Sequence, residues 1–124
     1  MKVKGISHVV IMVKDIEKAR GFFSDLFGTE FSPAGELKEA DIRNSMAPIG
    51  IELGSPLSKD GPSARTMERR GEGLALLALE VDNIEEAIAD MQSHGVRLIG
   101  RPTPKAAQFH PRDLYGVMIE LIER

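Results

Sequence analysis

Cysteine is absent from the 124 residues. That removes disulfides, thiolate metal ligands and a cysteine nucleophile together. Positive charge is not in excess either: 16 Lys and Arg stand against 19 Asp and Glu, for a net charge of −3. This argues against a general nucleic-acid or anionic-membrane binder and leaves room only for a local basic patch. A long hydrophobic run is also missing. The opening MKVKGISHVVIMV has basic flanks, but its apolar run is too short for a membrane span and no small-residue cleavage site follows. It reads as a strand, and the expectation is a cytoplasmic chain with no membrane or nucleic-acid partner. What remains is ordinary, with 42% hydrophobic and 28% charged residues. That composition suits one folded domain over residues 1–124, able to bury roughly two-thirds of its unfolded surface.

The chain is written twice. HVVIMVKDIEKA begins at His8 and LLALEVDNIEEAI at Leu76. With Val13 laid on Val81, an offset of 68 residues, Ile16 meets Ile84, Glu17 meets Glu85 and Ala19 meets Ala87. The same offset brings Ile51, Glu52 and Leu53 onto Ile119, Glu120 and Leu121. One spacing that aligns an early and a late segment points to a duplicated unit of about sixty residues.

Each copy opens with an apolar run, Ile6 to Val13 or Leu74 to Val81, that reads as a strand. Asp15 and Asp82 stand where N-caps belong. The first helix that follows carries Ile16, Ala19, Phe23 and Phe27 on one face, and the second carries Ile84, Ala87, Ile88 and Met91. Gly28 and Gly95 suit left-handed C-terminal caps. Three short strands are expected after each helix: near Glu30–Phe31, Ala40–Met46 and Ile49–Leu53 in the first copy, and Arg97–Ile99, Ala106–His110 and Gly116–Ile122 in the second. The join SPLSKDGPSARTMERRGEG reads as a linker with room for one short helix. The expectation is βαβββ followed by βαβββ, with modules at 1–54 and 73–124.

IELGSP at Ile51 and IELIER at Ile119 each put one Glu inside an apolar strand. Simple alternation would send both to solvent. In a duplicated fold the two would converge near a pseudo-twofold axis or lie on opposite sides of it, and carboxylates facing one cleft repel unless a metal or a shared proton relieves them. His8 favours the second reading. One imidazole with carboxylates suits Mn, Fe, Co, Ni or Zn and leaves positions open for a substrate.

With a His in the first strand and IEL-type strands closing both halves, the chain resembles the vicinal oxygen chelate superfamily. Within it, SHVVIMVKDIEKA, IELGSPLSKDGP, ERRGEGLALLALEVDNIEEA and FHPRDLYGVMIELIE look like the methylmalonyl-CoA epimerase branch. The resemblance covers nearly the whole chain. It implies an α+β fold in which tandem βαβββ modules form a cupped mixed sheet. It also implies a divalent metal (Co, Mn, Ni, Fe or Zn) held by four ligands, of which His8, Glu52 and Glu120 match three. The remaining family ligand is a His of the fifth strand, where this chain has Ala75 and Leu76. At the 68-residue offset Leu76 also falls opposite His8.

By resemblance the activity is that of a metal-assisted isomerase or lyase. It would move a proton beside a carbonyl, on a small-molecule substrate such as a CoA thioester, with Glu120 as catalytic residue. Leu76 supports the other expectation, a metal-free domain that binds a small molecule, as resistance-type relatives do. No separate base is identified; Asp41 and Glu39 lie nearby in the sequence. Gln108 and His110 are candidates to complete the ligand set, His110 having a strand-end hydrogen bond as its plainer role. His94 suits a helix C-terminus, and Met46, Met91 and Met118 suit the core. Arg65, Arg69, Arg70, Arg101, Lys105 and Arg112 offer phosphate contacts or a solvated surface. Many relatives in the superfamily are dimers, and a homodimer is expected.

Overall fold

In the computed structural model, which describes residues 1–124, the elements run β1 (Val3–Met12), α1 (Ile16–Phe27), β2 (Gly35–Leu37), β3 (Ile42–Ala47) and β4 (Ile51–Pro56). After the connecting helix α2 (Pro62–Arg70) come β5 (Gly73–Val81), α3 (Ile84–Ser93), β6 (Leu98–Ile99), β7 (Ala106–Phe109) and β8 (Ile119–Glu123). This is the doubled βαβββ order, an α+β fold with parallel and antiparallel strand pairs. No helix is long and apolar enough to cross a membrane.

The helices start and stop where local chemistry lets them. The Asp15 carboxylate accepts the Lys18 backbone N–H at 3.1 Å, and Gly28 closes α1 with a left-handed backbone at φ 61°, a conformation that favours glycine. For α3 the cap is Asn83 rather than Asp82: the Asn83 side chain accepts the Glu86 N–H at 2.9 Å. Asp82 stands one residue outside and faces the Lys4 ammonium at 3.0 Å. Asx side chains at adjacent positions are both competent caps, and helix phase selects the second.

The chain forms two compact units, Val9–Ala75 and Met1–His8 with Leu76–Arg124. In the first, the strands lie in the order β2-β3-β4-β1, with β4 antiparallel to β3 and parallel to β1. Val13, Ile16, Phe31, Ala47 and Leu53 are buried together, flanked by Ala19 and Phe23 of α1. The apolar face of α1 ends sooner than its spacing predicts. Phe27 is 47% exposed and merely stacks on Phe23, ring centroids 5.4 Å apart. The expected strand at Glu30–Phe31 is not one. Phe31 is buried in the core, and Ser32 runs beside β3, donating its N–H to the Met46 carbonyl at 2.9 Å. The Met46 N–H, however, is taken by the Ser32 hydroxyl rather than by backbone, at 3.0 Å. A side chain supplies the second rung, so the ladder does not propagate, and β2 forms later at Gly35–Leu37.

In the second unit the order is β5-β8-β7-β6, with β5 and β8 parallel and the other neighbours antiparallel. Its core joins Val81, Ile84, Ala87, Met91, Val96, Ala107, Phe109 and Leu121. The 68-residue offset reappears in the strand registers. Val9, Val10 and Ile11 pair with Ile51, Glu52 and Leu53; Leu77, Ala78 and Leu79 pair with Ile119, Glu120 and Leu121. The repeat breaks only on the antiparallel side. Ala47 pairs with Ile51 across a tight turn, whereas Phe109 pairs with Ile119 across a connection six residues longer.

That longer connection is pinned by an ion pair. Arg97 donates from its backbone N–H at 3.0 Å and from Nε at 2.9 Å to one oxygen of Asp113, and from Nη2 at 3.2 Å to the other. The guanidinium bond first, and the backbone donor after it, hold the Asp113 pKa at about 2, below the usual carboxylate range. A depressed carboxyl stabilises the fold above its ordinary pKa and stops doing so as pH falls through the folded value. The clamp is therefore expected to persist at pH 4 and to open towards pH 2. The Asp113 carboxyl carbon signal, followed by NMR, should titrate near 2 in the native chain and higher in Arg97→Ala, which loses the guanidinium but keeps the backbone donor.

Candidate functional site

Strand alternation decides which way the two glutamates point. In the second unit Ala107, Phe109, Leu79, Val81 and Leu121 turn toward α3 and form the core. The intervening residues, Glu120, its register partners Ala78 and Gln108, and Leu76 two residues before Ala78, turn to the other face. In the first unit Leu53 and Ile51 pack with α1. Glu52, with partners Val10 and Met46, turns away from it. His8 lies two residues before Val10 on β1 and so takes the face of Val10. Each glutamate thus turns away from the helix that packs its unit's core, α1 or α3, at register-equivalent places.

Neither simple solvation nor a dry core describes them. His8 is 7% exposed and Glu52 8%, while Glu120 is half-buried. All three are hydrogen-bonded or otherwise engaged. His8 Nδ1 lies 3.0 Å from the Ser7 hydroxyl. Asn44 Nδ2 donates to Glu52 Oε2 at 3.0 Å, and Gln108 Nε2 to Glu120 Oε2 at 3.5 Å. A buried carboxylate needs such donors, because an unsatisfied one is costly to hold away from water. The two carboxamides are not register-equivalent: Gln108 stands directly opposite Glu120, whereas Asn44 reaches Glu52 from a diagonal position, two residues from Met46. Asn44 escapes sequence reasoning, since nothing in RNSMA marks it as a carboxylate partner; only the pairing of β3 with β4 brings it there.

Other sequence candidates are spent on structure. His110 caps the turn at Pro111–Asp113, its Nδ1 accepting the Arg112 N–H at 3.2 Å. His94 closes α3, with Nδ1 2.8 Å from the Asp90 carbonyl. Asp41 is not available as a base: both its oxygens are taken by Ser58, one by the N–H at 3.2 Å and the other by the hydroxyl at 2.9 Å. Glu39 is exposed in a turn. No group of three or more His, Asp or Glu side chains stands together as a ready-made metal site.

The doubled βαβββ order, the parallel pairing that closes each copy and the equivalent IEL strands define a glyoxalase-type protein. Residues 7–115 match the family model of the Glyoxalase/Bleomycin resistance protein/Dioxygenase superfamily, and the chain belongs to that family. Among its relatives, the mitochondrial methylmalonyl-CoA epimerase of Homo sapiens is 31% identical over 126 residues, spanning 94% of this chain and 72% of that protein. The crystal structure of methylmalonyl-CoA epimerase from Mycobacterium tuberculosis superposes with a TM-score of 0.86 at 29% identity, covering 98% of this chain and 88% of the other. A methylmalonyl-CoA epimerase in complex with methylmalonyl-CoA and NH4+ shares the fold, with a TM-score of 0.86 at 23% identity over 98% of this chain and 95% of that one.

Proposed function

We propose that this chain is a metal-assisted isomerase that moves a proton next to the carbonyl of a CoA thioester, with His8, Glu52 and Glu120 as metal ligands. The observation that carries the reading is the placement of Glu52 and Glu120 at register-equivalent sites, each turned away from its unit's core helix and each with a carboxamide donor. Support comes from the human relative, which is a methylmalonyl-CoA epimerase, and from the structural relative in complex with methylmalonyl-CoA.

The donor chemistry fits a three-ligand set. One imidazole and two carboxylates suit Mn, Fe, Co, Ni or Zn and leave positions for substrate oxygens. When bound, the metal supplies Lewis acidity toward the carbonyl oxygen beside the reacting carbon. The rest falls to the chain. Glu120 takes the proton from that carbon, and isomerisation is completed when a proton is returned to the carbon's opposite face. Gln108, on the neighbouring strand, orients the Glu120 carboxylate, and Asn44 does the same for Glu52. Leu76, on the face of Glu120, contributes an apolar wall rather than a donor.

That leucine also favours a second reading, a metal-free domain that binds a small molecule. The two part in one experiment. The chain is incubated with methylmalonyl-CoA in deuterated water, and loss of the α-proton signal is followed by NMR. The isomerase reading expects exchange that stops after chelation and returns with Mn or Co. Binding of the thioester without exchange under any of these metals selects the second reading.

A further inference from the structure

The first unit also holds a cleft of about 230 Å³ at the ends of β1 and β4, lined by Lys14, Pro56, Leu57, Ser58, Lys59, Ala64 and Met67. Its wall is apolar, with Met67 buried at the back. Its rim is cationic. None of the chain's ion pairs takes up the ammonium of Lys14 or Lys59, and both side chains are exposed.

Two carboxylates beside the cleft are engaged in hydrogen bonds. Glu72 accepts the Lys14 backbone N–H at 2.8 Å, and Asp41 holds Ser58 by two bonds. Asp41 also fixes the loop that presents Lys59, since its carbonyl accepts the Leu57 N–H at 3.0 Å. Arg65 donates to the Asp60 carbonyl at 2.7 Å. Gly61 belongs to the same clamp: a Cβ there would collide with the Asp41 carboxylate and the Ser58 hydroxyl. The cleft is therefore held in shape before any ligand arrives.

Two unpaired ammonium groups over an apolar wall suit a ligand that is anionic at one side and flat and apolar at the other. Lysine meets phosphate as a point charge, and a methionine thioether packs well against an aromatic ring. Position narrows the choice. Pro56 lies four residues beyond Glu52 on β4, about 13 Å at the rise of a strand, a span that an extended pantetheine arm can bridge.

We propose that the Lys14–Lys59 cleft takes the phosphorylated adenosine end of an acyl-CoA. The CoA part of this inference rests on the isomerase reading above. A free adenine nucleotide presents the same chemistry, and the test separates the two sources. The full chain is titrated with CoA, with adenosine 3′,5′-bisphosphate and with pantetheine. Affinities come from calorimetry and locations from amide and Met67 methyl shifts.

Adenosine bisphosphate is expected to shift Ser58, Lys59, Ala64 and Met67 and to weaken with rising salt. In the Lys14→Glu/Lys59→Glu variant, both surface changes, CoA and adenosine bisphosphate should bind at least about tenfold more weakly, with pantetheine unaffected. Unchanged affinity for both phosphorylated ligands in that variant, shifts confined to other residues, or no binding of either by the native chain would each overturn the proposal. Lys-dependent binding of adenosine bisphosphate with no exchange on methylmalonyl-CoA would uphold the cleft as a nucleotide site and reject the isomerase reading. Metal-dependent exchange with an unchanged KM in the variant would do the reverse.

Discussion

Glu120→Gln is expected to slow exchange of the methylmalonyl-CoA α-proton by roughly 10²- to 10⁴-fold, the usual loss when a positioned acid–base group is removed. The substitution is close to isosteric. It keeps an oxygen to accept from Gln108 and keeps the half-buried side chain on the face of β8 turned away from α3, but it cannot carry the proton. Stability should hardly change, because the core-facing neighbours Ile119 and Leu121 are untouched. The pairing of a large kinetic loss with an unchanged melting curve is what separates a chemical role from a structural one. Exchange at the native rate in this variant would remove Glu120 from the mechanism.

A second large effect belongs to the core. Phe109→Ala is expected to cost about 3–5 kcal/mol, the range for truncating a buried aromatic, against a total stability of about 5–15 kcal/mol for a domain of this kind. Phe109 is 0% exposed and stands between Leu98 of β6 and Ile119 of β8 in register. It packs with Ala107, Leu121 and the α3 residues. Its register counterpart in the other copy is Ala47, beside Ile51. There Phe31, from the segment after α1, joins the core instead. The aromatic is supplied by different elements in the two copies, so Ala47 is no place to expect the same loss. Urea unfolding monitored by circular dichroism gives the number. A loss below about 1 kcal/mol would mean that the site collapses around the missing ring.

The duplication was legible because it is a spacing, and a spacing survives in the registers that tie β1 to β4 and β5 to β8. Asp15 as a cap, Gly28 as a stop and the outward turn of the IEL glutamates from their cores were legible for the same local reasons. Errors fell where local signals tie or mimic one another. Asp82 and Asn83 are equal as caps by residue type, and only the 68-residue offset, which lays Asp15 on Asn83, separates them. Phe31 looks like strand because it is apolar and buried, yet Ser32 ends its ladder with a side chain. Phe27 continues the apolar stripe of α1 but lies beyond what the sheet covers. Asn44 beside Glu52, Asp41 on Ser58, and Lys14 with Lys59 on one cleft were out of reach, because each is a meeting of strands or loops that composition and period do not record.

The proposal with most at stake is that His8, Glu52 and Glu120 act as one ligand set in a chain that carries Leu76 on the fifth strand. Metal-stripped protein titrated with Co(II) and followed by calorimetry tests it most directly. About one equivalent bound per chain, lost in His8→Ala, is the predicted result for a three-ligand site with open positions. Uptake below about a tenth of an equivalent, or one equivalent that persists unchanged without the imidazole, would contradict it.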